Sequence, residues 1–244
     1  MKQNKQHVAV VIGAGDATGG AIAKRFAREG YTVVATRRHE DALIPLVQEI
    51  EELGGKAFGL GCDARDENAM CALFSKIEDE IGAIGVLVFN IGANVRFPIT
   101  ETTGRVYRKV WEMAAFAGFL AGREAARAML PRGRGTIIFT GATASLRGGS
   151  GFSAFSGAKF ALRALAQSMA RELGPQGIHV AHSIIDGAID TAFIRDNFPE
   201  RYALKEKGGI LNPDHIAEHY WQLHQQPRDS WTHELDLRPW METF

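Results

Sequence analysis

Six short runs of apolar, β-branched residues divide this chain at regular intervals, at positions 7–12, 31–36, 57–61, 85–90, 136–140 and 179–184. Between them lie longer stretches with apolar residues three and four apart, such as Leu43, Leu46, Val47, Ile50 and Leu53. A second such set is Met70, Leu73, Phe74, Ile77 and Ile81. That spacing is helical, whereas runs with no polar alternation are strands buried on both faces. Strands that alternate with helices predict a parallel sheet with right-handed crossovers, a doubly wound α/β fold. The tail, 231–240, reads as a final strand with an aromatic end, so about seven strands are expected in a single domain over 1–244. The connection at 186–212 breaks the rhythm with Pro199, Gly208 and Gly209, and is expected to be a substrate loop or lid.

Charge excludes several classes of function. Lys+Arg and Asp+Glu both number 28, so no general electrostatic grip on nucleic acid or an anionic membrane is expected. The start, 1–7, is polar, and the apolar run from Val8 to Ile12 is shorter than the roughly 7–15 residues of a signal-peptide core. Cys62 and Cys71 lack metal-type spacing and read as reduced core residues, which suits a cytoplasmic protein. His215 and His219 are four apart on an expected helix but lack a third ligand nearby, so no metal is expected. Glycine is the compositional excess, 27 of 244 residues against an average of about 7%.

Open α/β sheets bind ligands beyond the carboxyl ends of their strands, so the residues after each strand carry the argument. After the first comes Gly13-Ala14-Gly15-Asp16-Ala17-Thr18-Gly19-Gly20, leading into a helix. Glycines at a strand–helix turn let backbone N–H groups and the helix N-terminus approach a pyrophosphate. The second strand ends in Thr36-Arg37-Arg38 where an NAD site needs an acid for the ribose 2′-hydroxyl. Two guanidiniums suit a 2′-phosphate, so NADP(H) is expected over NAD(H).

With these residues in place, the chain resembles the short-chain dehydrogenase/reductase family over about residues 7–237. Gly13-x-x-x-Ala17-x-Gly19 is similar to that family's glycine turn, with its middle Gly replaced. Cys62-Asp63-Ala64 resembles the adenine-binding position, Asn90-Ile91-Gly92 the Asn-Ala-Gly element, and Asp186-Gly187-x-x-x-Thr191 the loop beside the nicotinamide. Phe155-Ser156-Gly157-Ala158-Lys159 stands in the place of Tyr-x-x-x-Lys. The resemblance implies a Rossmann-type sheet and a small-molecule substrate. It also implies a homo-oligomer, which the Ala/Gly/Ser-rich stretch at 152–173 suits. The implied cofactor contacts are Gly13, Gly15, Asp16, Thr18, Gly19, Arg37, Arg38, Asp63, Ala64, Asn90, Gly92, Lys159, Gly187, Ile189 and Thr191.

The departures concern catalysis. Where the family has a proton-donating Tyr, this chain has Phe155. Its Ser and Asn positions are Ala142 and Ala115, and only Lys159 is retained. General acid catalysis contributes on the order of 10²–10⁴-fold, so the family mechanism should be impaired by at least that much. Replacement donors are sought on the loops. Thr143 is the first candidate, and with Lys159 it completes the expected catalytic set. Ser145, Asp186 and Asp190 are the others, and a desolvated carboxyl at Asp186 can stay protonated near neutral pH. Arg96 and Arg195 are candidates for holding an anionic group. Three functions are open at this point. They are hydride transfer to a carbonyl-type or activated acceptor, a dinucleotide-binding sensor or partner subunit without turnover, and a lyase or isomerase on the same scaffold.

Overall fold

The computed structural model describes residues 7–243. The start at 1–6 and residue 244 lie outside these, so the reading of the polar start falls outside the described residues. Seven strands form one parallel sheet in the order β3-β2-β1-β4-β5-β6-β7. They are β1 (Val8–Ile12), β2 (Thr32–Arg37), β3 (Lys56–Gly61), β4 (Ile84–Phe89), β5 (Gly135–Thr140), β6 (Ile178–Ile185) and β7 (Glu234–Leu237). The order reverses between β1 and β4, which opens a crevice at their carboxyl ends. Every residue of β1 and of β6 is buried, the reason their sequences show no polar alternation.

Helices cover both faces. α1 (Thr18–Arg28), α2 (Ile44–Glu52) and α9 (Pro213–Gln225) pack on one side around Phe26, Ile22 and Tyr220. α3 (Glu67–Lys76), α5 (Ala117–Met129) and α6 (Ser153–Leu173) pack on the other around Met70, Leu120, Leu162 and Phe139. α4 (Gly104–Trp111) continues into α5 through a π-turn at Glu112–Phe116. Caps set several starts. Asp66 accepts the Ala69 N–H before α3 (3.0 Å), and Thr103 accepts that of Val106 before α4 (3.2 Å).

The connection at 186–212 is less irregular than its sequence suggests. It holds α7 (Ala192–Asn197), α8 (Pro199–Tyr202) and a 3-10 turn at Lys205–Lys207, and Ile189 bridges to Leu211. These helices are four to six residues long, too short for a periodic signal. The chain after β7 holds them in place. Pro239 covers Gly187 so closely that a Cβ there would lie 2.7 Å from its Cδ. Trp240 Nε1 donates to the Lys207 carbonyl (3.0 Å), and Arg201 pairs with Glu242. The end of the expected seventh strand is therefore a strap over the loop. No helix among the described residues is long and apolar enough to cross a membrane.

Candidate active site

The glycine turn is built around a single close approach. Gly13 (φ +87°) and Gly19 face one another, and a Cβ on Gly19 would lie 2.4 Å from the Gly13 carbonyl oxygen. Asn90 Nδ2 donates to that same oxygen (3.2 Å), tying the end of β4 to the turn. Around Gly15 there is open space: nothing lies within 4 Å of a Cβ built there. Ala17 precedes α1 at φ −112°, outside the left-handed region that favours glycine. α1 has no side-chain cap and no acid in its first turn. Gly20 N donates to the Gly15 carbonyl and Ala21 N to that of Ala17, whereas the Thr18 and Gly19 N–H groups have no backbone acceptor among the described residues. Unpaired donors at a helix N-terminus form an anion site.

A crevice of about 230 Å³ opens from this turn. Gly13, Gly15, Arg37, Arg38, Asp63, Ala64, Asn90 and Gly92 line it together. Cys62, Arg65, Ile91 and Met113 line it as well and were not among the expected cofactor contacts. Of these, Met113 had no local signal, Cys62 and Ile91 stand inside the Cys62-Asp63-Ala64 and Asn90-Ile91-Gly92 motifs, and Arg65 stands two residues after Asp63. Its guanidinium grips the Asp63 carboxylate at 2.9 and 2.5 Å. That contact above all holds the carboxyl at about 2. Burial, with Asp63 and Asp66 nearby, pushes the Cys62 thiol up to about 11, so it is an inert wall residue.

The two arginines after β2 have different surroundings. Arg37 Nη1 donates to Asp16 Oδ1 (3.0 Å) and to the Ala42 carbonyl (3.3 Å). Arg38 has no hydrogen bond or ion pair among the described residues. Asp16 thus sits beside the arginine pair as a counter-charge, a placement that the sequence reading did not anticipate.

Beyond β5 and β6 lies the second half of the site. Lys159, 2% exposed, reaches from α6 to donate to the carbonyls of Thr140 (2.8 Å) and Ile91 (3.3 Å). Burial pushes its ammonium down to about 8. The unfolded chain therefore holds a proton on Lys159 between about pH 8 and 10.5 that the folded chain has released, so stability should rise with pH across that window. The expected gain relative to Lys159→Met is on the order of 3 kcal/mol, read from urea midpoints at pH 7.5 and 10. A flat difference would show that the amine is not desolvated.

Phe155, whose ring centroid lies 5.9 Å from Lys159 Nζ, packs into an apolar cluster with Ala93, Ala114, Ala144 and Ala158. Ala142, Met113 and Phe152 pack against that cluster. Phe155 and Ala142 thus belong to a continuous hydrophobic wall, and the buried Ala115 has no polar atom to offer.

Polar chemistry has moved to the neighbouring loops. Thr143 Oγ1 donates to Asp186 Oδ1 at 2.5 Å, joining the ends of β5 and β6. Asp186 is 1% exposed, and Arg238 Nη2 stands 3.2 Å from its Oδ2. Asp186, one of the lesser candidate donors, accepts this hydrogen bond and pairs with a cation that no local motif announces. Thr143 is the partner that carries the proton. Ser145 Oγ is spent on the Ala142 N–H, and Asp190 pairs with Lys205 (2.9 Å).

Other expected contacts are committed within the loop. Thr191 Oγ1 accepts the Ile194 N–H and so caps α7, Ile189 pairs with Leu211, and Gly187 lies under Pro239. The candidate anion holders have partners of their own. Arg195 pairs with its neighbour Asp196 (2.8 Å), and Arg96 lies over the Phe152 ring. Among the described residues no three His, Cys, Asp or Glu side chains gather to hold a metal ion.

Comparison with known proteins agrees with this geometry. Residues 7–201 match the family model of short chain dehydrogenases. A short-chain dehydrogenase from Rhodopseudomonas palustris is 52% identical and superposes with a TM-score of 0.83 over 96% of this chain and 99% of that one. A metagenomic short-chain oxidoreductase in complex with NADP is 26% identical, with a TM-score of 0.80 over 97% and 98%. A 7α-hydroxysteroid dehydrogenase complexed with NADH and 7-oxo glycochenodeoxycholic acid is 27% identical, with a TM-score of 0.86 over 96% and 93%. A parallel sheet in this order, a glycine turn at its switch point and a family match over most of the chain place this protein in the short-chain dehydrogenase/reductase family of oxidoreductases.

Proposed function

We propose that this chain is an NADP(H)-dependent oxidoreductase acting on a carbonyl-type or activated small molecule, with Thr143 as the hydroxyl that faces the substrate oxygen. The observation that carries this reading is the Thr143–Asp186 pair, a polar couple held between β5 and β6 where the family's own donors are absent. A nicotinamide cofactor fits the crevice. The free Thr18 and Gly19 N–H groups and the open space at Gly15 suit a pyrophosphate. Asp63 and Ala64 suit the adenine end, Asn90, Gly92 and Lys159 a ribose, and Gly187, Ile189 and Thr191 the nicotinamide end.

When bound, such a cofactor supplies a hydride. The chain's residues do the rest. Lys159 keeps two of its N–H groups on carbonyls and has a third for a ribose hydroxyl or the substrate oxygen. Asp186 holds the Thr143 hydroxyl in place, and rotation about χ1 brings that proton to an oxygen on which charge develops. The Phe155 wall excludes water but gives no proton. This arrangement suits acceptors that need little acid help, such as an enone or an iminium ion. Deuterium should pass from labelled NADPH to such a product with one stereochemistry, and Thr143→Val should slow that transfer at least tenfold. Transfer that is indifferent to Thr143→Val would remove Thr143 from the mechanism.

Cofactor choice rests on Arg38. Its Ala variant should weaken NADPH by about tenfold or more while leaving NADH within twofold, since a charge-assisted phosphate contact contributes about 1.5–3 kcal/mol. Equal losses for the two nucleotides in calorimetric titration would refute a 2′-phosphate role. Free Cys62 and Cys71 suit a reducing, cytoplasmic compartment. The small residues of α6, with exposed Trp111, Phe119 and Phe160 on the same side of the fold, suit a homo-oligomer.

The apolar cluster around Phe155 favours a second reading, an NADP(H)-binding sensor or partner subunit without turnover. Tight NADPH binding with no deuterium transfer to any of a broad acceptor panel would select it.

A further inference from the structure

We infer that Arg238, on the strap that follows β7, is a positioning residue for the active site. By holding one oxygen of the buried Asp186 carboxylate it fixes the other on Thr143, and so sets the direction of the Thr143 hydroxyl. The effect on hydride transfer rests on the proposed role of Thr143, whereas the positioning is a matter of geometry and is read separately.

The register of the sheet brings the two charges together. Ile185 of β6 pairs with Leu237 of β7, and the Asp186 N–H donates to the Leu237 carbonyl (2.8 Å), so Asp186 and Arg238 leave their strands side by side. Arg238 Nη2 then stands 3.2 Å from Asp186 Oδ2, while Thr143 Oγ1 occupies Oδ1 at 2.5 Å. With one oxygen on a cation and the other on a hydroxyl, the carboxylate plane is not free to turn about χ2. The next residues hold Arg238 in place, since Pro239 packs on Gly187 and Trp240 Nε1 donates to the Lys207 carbonyl (3.0 Å).

Burial makes the couple depend on this one cation. Asp186 is 1% exposed, so water does not stand in for Arg238, and a buried carboxylate stripped of its counter-charge carries a heavy desolvation cost. No other cation among the described residues pairs with it. The second carboxylate on Arg238, that of Asp236, is 37% exposed and can be solvated without it. On the other side, Thr143 opens a 3-10 turn that Ser145 Oγ ties to the Ala142 N–H (3.1 Å). The Thr143 backbone is thereby set, and χ1, with its staggered alternatives, is the coordinate left for Asp186 to decide.

Methyl NMR of the full chain with labelled threonine reads this without any turnover. Thr143→Val identifies the Thr143 methyl signal by its disappearance. Three-bond couplings to that methyl should show one χ1 rotamer in the wild type and in Arg238→Lys, and averaging in Arg238→Met. Where Arg238→Met melts too low for spectra, Arg238→Gln gives the same reading. NADPH affinity should stay within twofold in each variant, which separates positioning from misfolding. Arg201→Gln, which breaks the strap's pair at Glu242 and leaves Arg238 intact, should keep the single rotamer. In deuterium transfer from labelled NADPH to an enone, Arg238→Met should lower kcat at least tenfold with KM within twofold, and Arg238→Lys should recover most of that loss. Added to Thr143→Val, Arg238→Met should cost less than a further twofold, because the two act as a unit. A single Thr143 rotamer in Arg238→Met, or an equal loss of kcat with and without the Thr143 hydroxyl, would overturn the inference. Averaged rotamers in Arg238→Met beside transfer that is indifferent to Thr143→Val would refute the role of Thr143 and leave the positioning standing.

Discussion

Phe155→Tyr combined with Ala142→Ser should raise NADPH-dependent reduction of simple ketones by about 10²–10⁴-fold, the range that a positioned general acid contributes. The scaffold for that acid is already present. The Phe155 ring centroid lies 5.9 Å from Lys159 Nζ, so a phenol there would feel the ammonium charge that favours its ionised form. The Ala142 methyl packs against the same cluster, so a Ser hydroxyl would enter next to that phenol. Cost to the fold is modest, because each hydroxyl can pair with the other and with substrate, and an unpaired one costs about 1–3 kcal/mol. Deuterium transfer from labelled NADPH is the measurement. A second result separates the mechanisms: Thr143→Val should slow the wild type but matter little in the double variant, where the tyrosine has taken over. A folded, NADPH-binding double variant without any gain would mean that the missing donors are not what limits this site.

The other large effect is expected at Gly19. A methyl there meets backbone on two sides, the Gly13 oxygen at 2.4 Å and the Ala14 Cα at 2.8 Å, and neither can move without lifting α1 away from β1. Overpacking against such rigid neighbours costs about 3 kcal/mol, which in a chain of this size lowers the melting temperature by roughly 6–12 °C. The same displacement withdraws the Thr18 and Gly19 N–H groups from a pyrophosphate, so NADPH affinity should fall about 100-fold. Gly15→Ala is the internal control. Open space surrounds that position, so the melting temperature should stay within about 2 °C, a cost of less than ~0.5 kcal/mol. Wild-type melting and affinity in Gly19→Ala would mean that the turn is not held by this contact.

The parts of the fold that were legible in sequence are those built from local pattern. Strand positions follow from runs such as Val8–Ile12, which have no polar alternation because both faces of a parallel sheet are covered. The glycine turn is legible for a similar reason: a close backbone approach at the end of a strand excludes side chains within a few residues of one another. That Phe155, Ala142 and Ala115 carry no polar side-chain atom is likewise a matter of sequence alone.

Tertiary structure decided which of the remaining groups meet. The strand order sets β5, β6 and β7 side by side, and that adjacency brings Arg238 to Asp186 and Asp186 to Thr143. Asp16 became the counter-charge of Arg37 only because β2 runs alongside β1. The short helices at 192–202 depend on the strap of Pro239, Trp240 and Glu242, since four to six residues cannot hold helical structure by propensity alone. In each case two groups distant in sequence share a partner through the sheet's register, and no periodicity along the chain encodes that register.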